Sequence, residues 1–281
     1  MRITETDACI GAVVEGADLG APLDEVSFGE LEAAFDRRSV LCIRDQTLTP
    51  EQFAAFGRRF GPVERIFLAH YAHPDCPDIM LVSNVEEAGR QIGHADAGRV
   101  WHTDMSYTAR PPRATLLYAL EVPEENGRTL GATAFASAVD AYDALDQETK
   151  SLIAGRTAVH RVSGRRKTTG TGAQDDGHRA RQPDVVHDVA RINPATGRTA
   201  IYVSEGECVS ISGLDDDHAL RIVDRLASHI QRPEFAHVHH WRKGDLLMWD
   251  NGAVQHRASF DYEWPRHRRL MWRVTVGGAA D

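Results

Sequence analysis

Leu246-Leu247-Met248-Trp249-Asp250-Asn251-Gly252-Ala253-Val254-Gln255-His256-Arg257 is the stretch whose reading decides the fold. Its first four residues form a short apolar run, the pattern of a strand buried on both faces. Asn251-Gly252 is a strong hairpin signal, because both residues tolerate the positive backbone angles of a tight turn. The segment from Ala253 to Arg257 then reads as a returning strand that carries His256.

Further strand-like stretches surround it at Val40–Ile43, Ile79–Ser83, Ala114–Leu120, Ala200–Val203, Ala236–Trp241 and Leu270–Val276. They are separated by turn residues and never alternate regularly with helices, so the pattern predicts a mainly β chain with flanking helices, a sandwich or barrel. Ser27 with Glu30 predicts a capping box that opens one helix, and Thr49 with Gln52, followed by Pro50, opens another. Two short helices are expected near Ala136–Leu145 and Gln147–Ala154, and a longer one near Asp216–Ile230. The chain is expected to form a single domain over residues 1–281, with no internal repeat. From Ser163 to Arg191 it turns polar and glycine-containing, which predicts a lid over the active site or a surface insertion.

Composition narrows the function classes. The formal net charge of −9 disfavours a nucleic-acid surface, which needs a basic stripe. No apolar run reaches the roughly 20 residues that span a bilayer. The first residues have no apolar core followed by a cleavage site, so no signal peptide is expected. Cys9, Cys42, Cys76 and Cys208 are far apart in sequence, the pattern of reduced thiols in a cytoplasm.

The chemistry begins at Trp101-His102-Thr103-Asp104. In an extended strand, residues i and i+2 face the same side, so an imidazole and a carboxylate converge. With His256 they make a candidate two-histidine, one-carboxylate set, which leaves open positions on an octahedral Fe(II). Near the C-terminal end, Arg269, Met271 and Arg273 alternate onto one face of a strand, and Arg268, Leu270 and Trp272 onto the other. An arginine facing inward needs an anion, because an unpaired buried charge is costly. Carboxylate is the natural partner, since it matches the guanidinium fork. Taken alone, structural salt bridges with acidic residues elsewhere would be the commoner role for these arginines.

Together these motifs resemble the taurine dioxygenase and 2,4-dichlorophenoxyacetate dioxygenase family. The likeness is carried by Trp101-His102-Thr103-Asp104, by Gly127-Arg128-Thr129-Leu130, by Trp249-Asp250-Asn251 with Gln255-His256, and by Arg269-Leu270-Met271-Trp272-Arg273. It extends from the Asp45–Thr49 segment to the last strand. The resemblance implies a double-stranded β-helix (jelly roll) core. It matches His102, Asp104 and His256 to the ligands of Fe(II). It matches Arg269 and Thr129 to the residues that hold the distal carboxylate of 2-oxoglutarate, with Arg268 as a fallback for Arg269. It matches Arg273 to a contact with the anionic group of the substrate, and it places His70, with Tyr71 and His73 behind it, where substrate-contacting residues lie. Because position 104 is Asp, the pattern departs from related halogenases, which leave that coordination position open.

The implied reaction is hydroxylation of a small anionic substrate, a sulfonate, sulfate ester or aryloxyalkanoate, with release of succinate and carbon dioxide. Hydroxylation beside a heteroatom would also cleave the substrate. Two alternatives stand beside this: biosynthetic oxidation of an amino-acid-derived acid, and a cupin-type metal oxygenase without 2-oxoglutarate. The expected partners are the small substrate and O2, with no nucleic acid or membrane, in a homo-oligomer (dimer or tetramer).

Overall fold

The computed structural model describes residues 1–66, 69–162, 164–165 and 182–277. A seven-stranded sheet runs in the order Arg2–Glu5, Ala12–Glu15, Val40–Ile43, Leu246–Asp250, Ala114–Glu121, Leu270–Val276, Met80–Ser83. Its pairs are antiparallel except that of Ala12–Glu15 with Val40–Ile43. Facing it are two three-stranded sheets: Ala236–His239, Thr133–Ser137, Val254–Ala258, and Val185–Asp188, Thr157–His160, Cys208–Ile211. Two opposed antiparallel layers of this kind are the jelly roll that the motifs implied.

The Leu246–Asp250 strand explains its own composition. Leu247 and Trp249 pack into the core between the sheets, while Leu246 and Met248 pack into a second core on the outer face. Both faces are covered, so the strand is apolar without alternation. The outer core is closed by the helices Glu25–Arg38 and Pro50–Arg58 through Phe28, Phe35, Phe53 and Phe56. Gly57 lets the second helix approach closely, since a Cβ there would lie 2.9 Å from Val274.

The hairpin expectation is corrected. Leu246–Asp250 and Val254–Ala258 do not pair, because both edges of the first are taken by Val40–Ile43 and Ala114–Glu121. The second pairs with Thr133–Ser137 in the other layer. Asn251-Gly252 is therefore a corner between sheets, closed by Ala253 N donating to Asp250 O at 3.1 Å and Gly252 N donating to the Asp250 side chain at 2.7 Å. Helix starts follow local capping. Thr49 and Gln52 form the expected reciprocal box. The first helix, however, begins at Glu25, capped by Asp24, which accepts from Ser27 N at 2.8 Å. Ala136 belongs to the Thr133–Ser137 strand, and the helix there runs over Ala138–Asp143.

Of the expected lid, residues 163 and 166–181 lie outside the described residues. Its last part is regular instead: Val185–Asp188 pairs with Thr157–His160, and Ala190–Ile192 pairs with Thr199–Ile201. Val185, Val186 and Val189 supply the β-branched composition that sheet pairing favours. Among the described residues, no helix is long and apolar enough to cross a membrane.

Candidate metal centre and its cavity

His102 and His256 face one another across an isolated antiparallel bridge. His102 N donates to His256 O at 3.1 Å and His256 N donates to His102 O at 2.9 Å, which sets the ring centroids 4.2 Å apart. The extended path around His102 is short and turns at Asp104, where Met105 adopts φ 51°. The expected continuous strand is thus a single bridge followed by a turn, and it still brings both side chains together. Thr103, between the two, points the other way and donates to Val254 O at 2.7 Å, pinning the loop to the incoming strand of His256.

Asp104 is buried and held on both oxygens. Thr115 Oγ1 donates to Oδ2 at 2.7 Å, and Asn251 Nδ2 donates to that hydroxyl at 3.1 Å. Arg273 Nη2 lies 2.9 Å from Oδ1. Burial by itself would raise the Asp104 pKa, but Arg273 and the two imidazoles outweigh it and hold the carboxyl well below its ordinary value. His102 Nε2 lies 3.6 Å from Asp104 Oδ1, and His256 Nε2 lies 3.8 Å from Oδ2. His102 Nδ1 sits 2.8 Å from Val100 O. The proton belongs on that nitrogen, which leaves Nε2 free to ligate.

One atom from each of His102, Asp104 and His256 falls within a 4.8 Å group. Two imidazoles and a carboxylate on one face suit a first-row divalent metal such as Fe(II). The donor set therefore fits the metal expected there.

Arg269 is 5% exposed, and among the described residues no Asp or Glu pairs with it. Burial lowers the pKa of its guanidinium, and Tyr262 partly opposes this. Its Nε has no hydrogen-bond partner among the described residues. Gly131 lies beside it: a Cβ there would come 2.9 Å from the Tyr262 ring and 3.5 Å from Arg269 Nε. A buried cation without a protein carboxylate is a prepared seat for an anion. Arg268 is excluded as the fallback, since it is exposed and paired with Glu121 at 2.6 Å.

Thr129 is not brought to this place. It belongs to the small ribbon Glu124–Glu125 with Arg128–Thr129 and lines outer depressions with Arg242. Thr133, four residues on, is buried at the start of the strand that pairs with that of His256, and its Oγ1 accepts from Trp241 Nε1 at 3.0 Å. Gly131-Ala132-Thr133 repeats the Gly-x-Thr pattern of Gly127-Arg128-Thr129, on which the resemblance matched Thr129.

A cavity of about 570 Å³ opens on His102 and Asp104. Arg273 lines it with Ile66, Met80, His94, Tyr107 and Glu64. His70 does not line it. It is exposed on the short turn Ala69–Tyr71, with its ring 4.0 Å from that of Tyr71. Sequence reading missed Glu64, Ile66 and His94 because no periodic or motif signal marks a cavity wall. Burial raises the Glu64 pKa, which Arg273 partly opposes, and burial together with Arg273 keeps His94 neutral.

A jelly roll with this donor set and a buried arginine beside it defines a non-haem metal oxygenase. The model of the family "Taurine catabolism dioxygenase TauD, TfdA family" matches residues 2–275. Pentalenolactone F synthase from Streptomyces arenae is 34% identical over 95% of this chain and 92% of its own length. The alpha-ketoglutarate-dependent 2,4-dichlorophenoxyacetate dioxygenase of Cupriavidus pinatubonensis is 30% identical over 95% of each chain. The crystal structure of AAD-2 with Mn(II) and N-oxalylglycine superposes with a TM-score of 0.83 at 30% identity, covering 99% of this chain and 97% of that one. The chain belongs to the TauD/TfdA family. It is a 2-oxoglutarate-dependent dioxygenase, and the expected cofactors, Fe(II) with 2-oxoglutarate as co-substrate, stand on that membership and on the His-Asp-His donor set.

Proposed function

We propose that this enzyme oxidises a small organic acid, an aryloxyalkanoate or a sulfonate, whose anionic group is held by Arg273 in the cavity that opens on His102 and Asp104. The observation that carries this reading is the position of Arg273, on the inner face of the last strand, lining the cavity and touching Asp104 at 2.9 Å. Names among the relatives support the substrate class: a 2,4-dichlorophenoxyacetate dioxygenase and a sulfonate dioxygenase of Schizosaccharomyces pombe, 29% identical, are both similar to this chain.

His102, Asp104 and His256 hold Fe(II), which with 2-oxoglutarate and O2 supplies the oxidising power and leaves succinate and carbon dioxide. Arg269 seats the distal carboxylate of 2-oxoglutarate, and the Thr133 hydroxyl is the neighbouring donor. Thr115 and Asn251 fix the Asp104 carboxylate, so the ligand is oriented before metal arrives. Ile66, Met80 and Tyr107 enclose the apolar body of the substrate and keep bulk water from it.

A second reading is biosynthetic oxidation, favoured by the 34% identity to pentalenolactone F synthase and by Glu64, whose carboxyl offsets part of the Arg273 charge. The single-domain organisation over residues 1–281 is part of the proposal, supported by the family match over 2–275. Gln182, a described residue of the 163–191 segment read as a lid or insertion, lines the cavity. A cytoplasmic setting fits the four unpaired cysteines, and assembly as a dimer or tetramer completes the proposal.

The test is succinate release across a panel of aryloxyalkanoates, sulfonates, sulfate esters and neutral lactones. Turnover of an acid in wild type, with KM for that acid raised in Arg273→Ala and KM for 2-oxoglutarate unchanged, is the expected result. Turnover of neutral lactones alone would transfer the assignment to the biosynthetic reading.

A further inference from the structure

A second cluster of ligating side chains lies at the other edge of the sandwich. Cys42, His239 and Asp245 are each at most 4% exposed, and one ligand atom from each falls within a 4.8 Å group, the same compactness as the His102, Asp104, His256 set. Cys42 is on the inner face of Val40–Ile43, and His239 ends the Ala236–His239 strand opposite it. Asp245 precedes Leu246–Asp250, the neighbour of the Cys42 strand. In the small sheet, the strands of His239 and His256 flank Thr133–Ser137 on opposite sides. Strands lie about 4.8 Å apart, so the two clusters are separated by roughly 10 Å or more.

The hydrogen bonding of this cluster is incomplete where a ligand would need it to be. His239 Nε2 lies 3.2 Å from Asp245 Oδ2, whereas Asp245 Oδ1 has no hydrogen-bond partner among the described residues. Oδ1 is buried, and a buried polar atom without a partner calls for an explanation such as an ion. Arg44 and the Arg242 backbone N–H both donate to Asp245 Oδ2. They orient the carboxylate and leave Oδ1 for another partner, as outer hydrogen bonds do for metal-bound carboxylates. A cavity of about 530 Å³, lined by Cys42, His239 and His237, gives access from solvent and room for a water as fourth ligand.

We infer that Cys42, His239 and Asp245 form a second metal site, one that takes a thiophilic divalent ion such as Zn(II). Thiolate, imidazole and carboxylate are the donor types zinc prefers, in a four-coordinate arrangement. Binding replaces the Cys42 S–H bond with a sulfur–metal bond and releases the proton to solvent. The ion would tie the large sheet, through Cys42 and Asp245, to the small sheet, through His239. Its role is structural and separate from the oxidation chemistry.

Cobalt distinguishes the two sites, because only the second contains sulfur. Full-length protein is stripped with chelator and titrated anaerobically with Co(II). Two equivalents per chain and a near-ultraviolet thiolate-to-cobalt charge-transfer band are expected in wild type. Asp104→Ala should keep the band and bind one equivalent, whereas Cys42→Ser should lose the band and also bind one. Serine at a buried strand position costs stability, so His239→Gln serves as the second variant and should weaken cobalt binding at this site at least tenfold. Zn(II) added to Asp104→Ala should displace the cobalt and abolish the band. A single equivalent without the band in wild type, or a band that survives in Cys42→Ser, overturns the proposal.

Discussion

At the residue scale the most informative side chain is Arg269. Its guanidinium is buried without a carboxylate partner among the described residues, so the energetic demand for an anion is written into the fold. Arg269→Ala is expected to raise KM for 2-oxoglutarate roughly ten- to hundredfold, the worth of a charge-assisted hydrogen bond. It should also abolish the weak visible band that forms when 2-oxoglutarate is added anaerobically to the Fe(II) protein. Thr133→Val should raise the same KM roughly two- to tenfold, and Thr129→Ala should leave it unchanged. Equal effects at both threonines would sink the placement of Thr133. His102, Asp104, His256 and Arg273 were legible as residues because strand parity and motif agree on them. Thr133 was not, because Gly127-Arg128-Thr129 and Gly131-Ala132-Thr133 follow one another closely and only strand pairing tells them apart. His70 was chosen because the resemblance places substrate-contacting residues in that segment, and on the short turn Ala69–Tyr71 it is exposed.

The elements show which patterns can be trusted. Strands buried on both faces, Val40–Ile43, Leu246–Asp250 and Leu270–Val276, are visible as apolar runs. The edge strands Arg2–Glu5 and Val185–Asp188 are short and largely exposed, so no sustained apolar run marks them. The Asn-Gly corner shows that turn chemistry specifies a reversal and not the partner of the strand that follows. The Thr157–His160 strand offers a measurable consequence. His160 is buried against Cys208, His187 and Tyr202, and burial followed by the His187 charge lowers its pKa to about 3. The unfolded chain binds a proton near the ordinary value of 6.5, so this strand is fully stable above that pH. Stability is lost as pH falls from about 6.5 toward about 3, by on the order of a few kcal/mol. Denaturant midpoints measured across that range should fall less steeply in His160→Phe than in wild type. Parallel curves would mean that His160 is protonated in the fold.

For the whole molecule, metal and co-substrate bind the folded chain and not the unfolded one. Mn(II) with 2-oxoglutarate at about a hundred times Kd should therefore stabilise the protein by about 2.7 kcal/mol. The shift should be absent in Asp104→Ala, and an equal shift there would place the stabilising ion elsewhere. The net charge of −9 is spread over a surface rich in arginine–carboxylate pairs, among them Arg58 with Asp78 and Arg161 with Asp184, which add little to stability individually. What holds the molecule is its two cores, one on each side of the large sheet.

The restraints on the three ligands come almost wholly from behind. The backbone bridge joins His102 to His256, Thr103 ties down the loop between the ligands, and the corner reaches Asp104 through Asn251 and Thr115. Of the residues that line the cavity, Arg273 reaches Asp104, while Ile66 and Met80 are apolar. Apart from Arg273, the oxidising centre and the surface that selects its substrate can therefore diverge independently. One chassis can be retuned to a new compound by exchanging wall residues, with the iron chemistry left as it was.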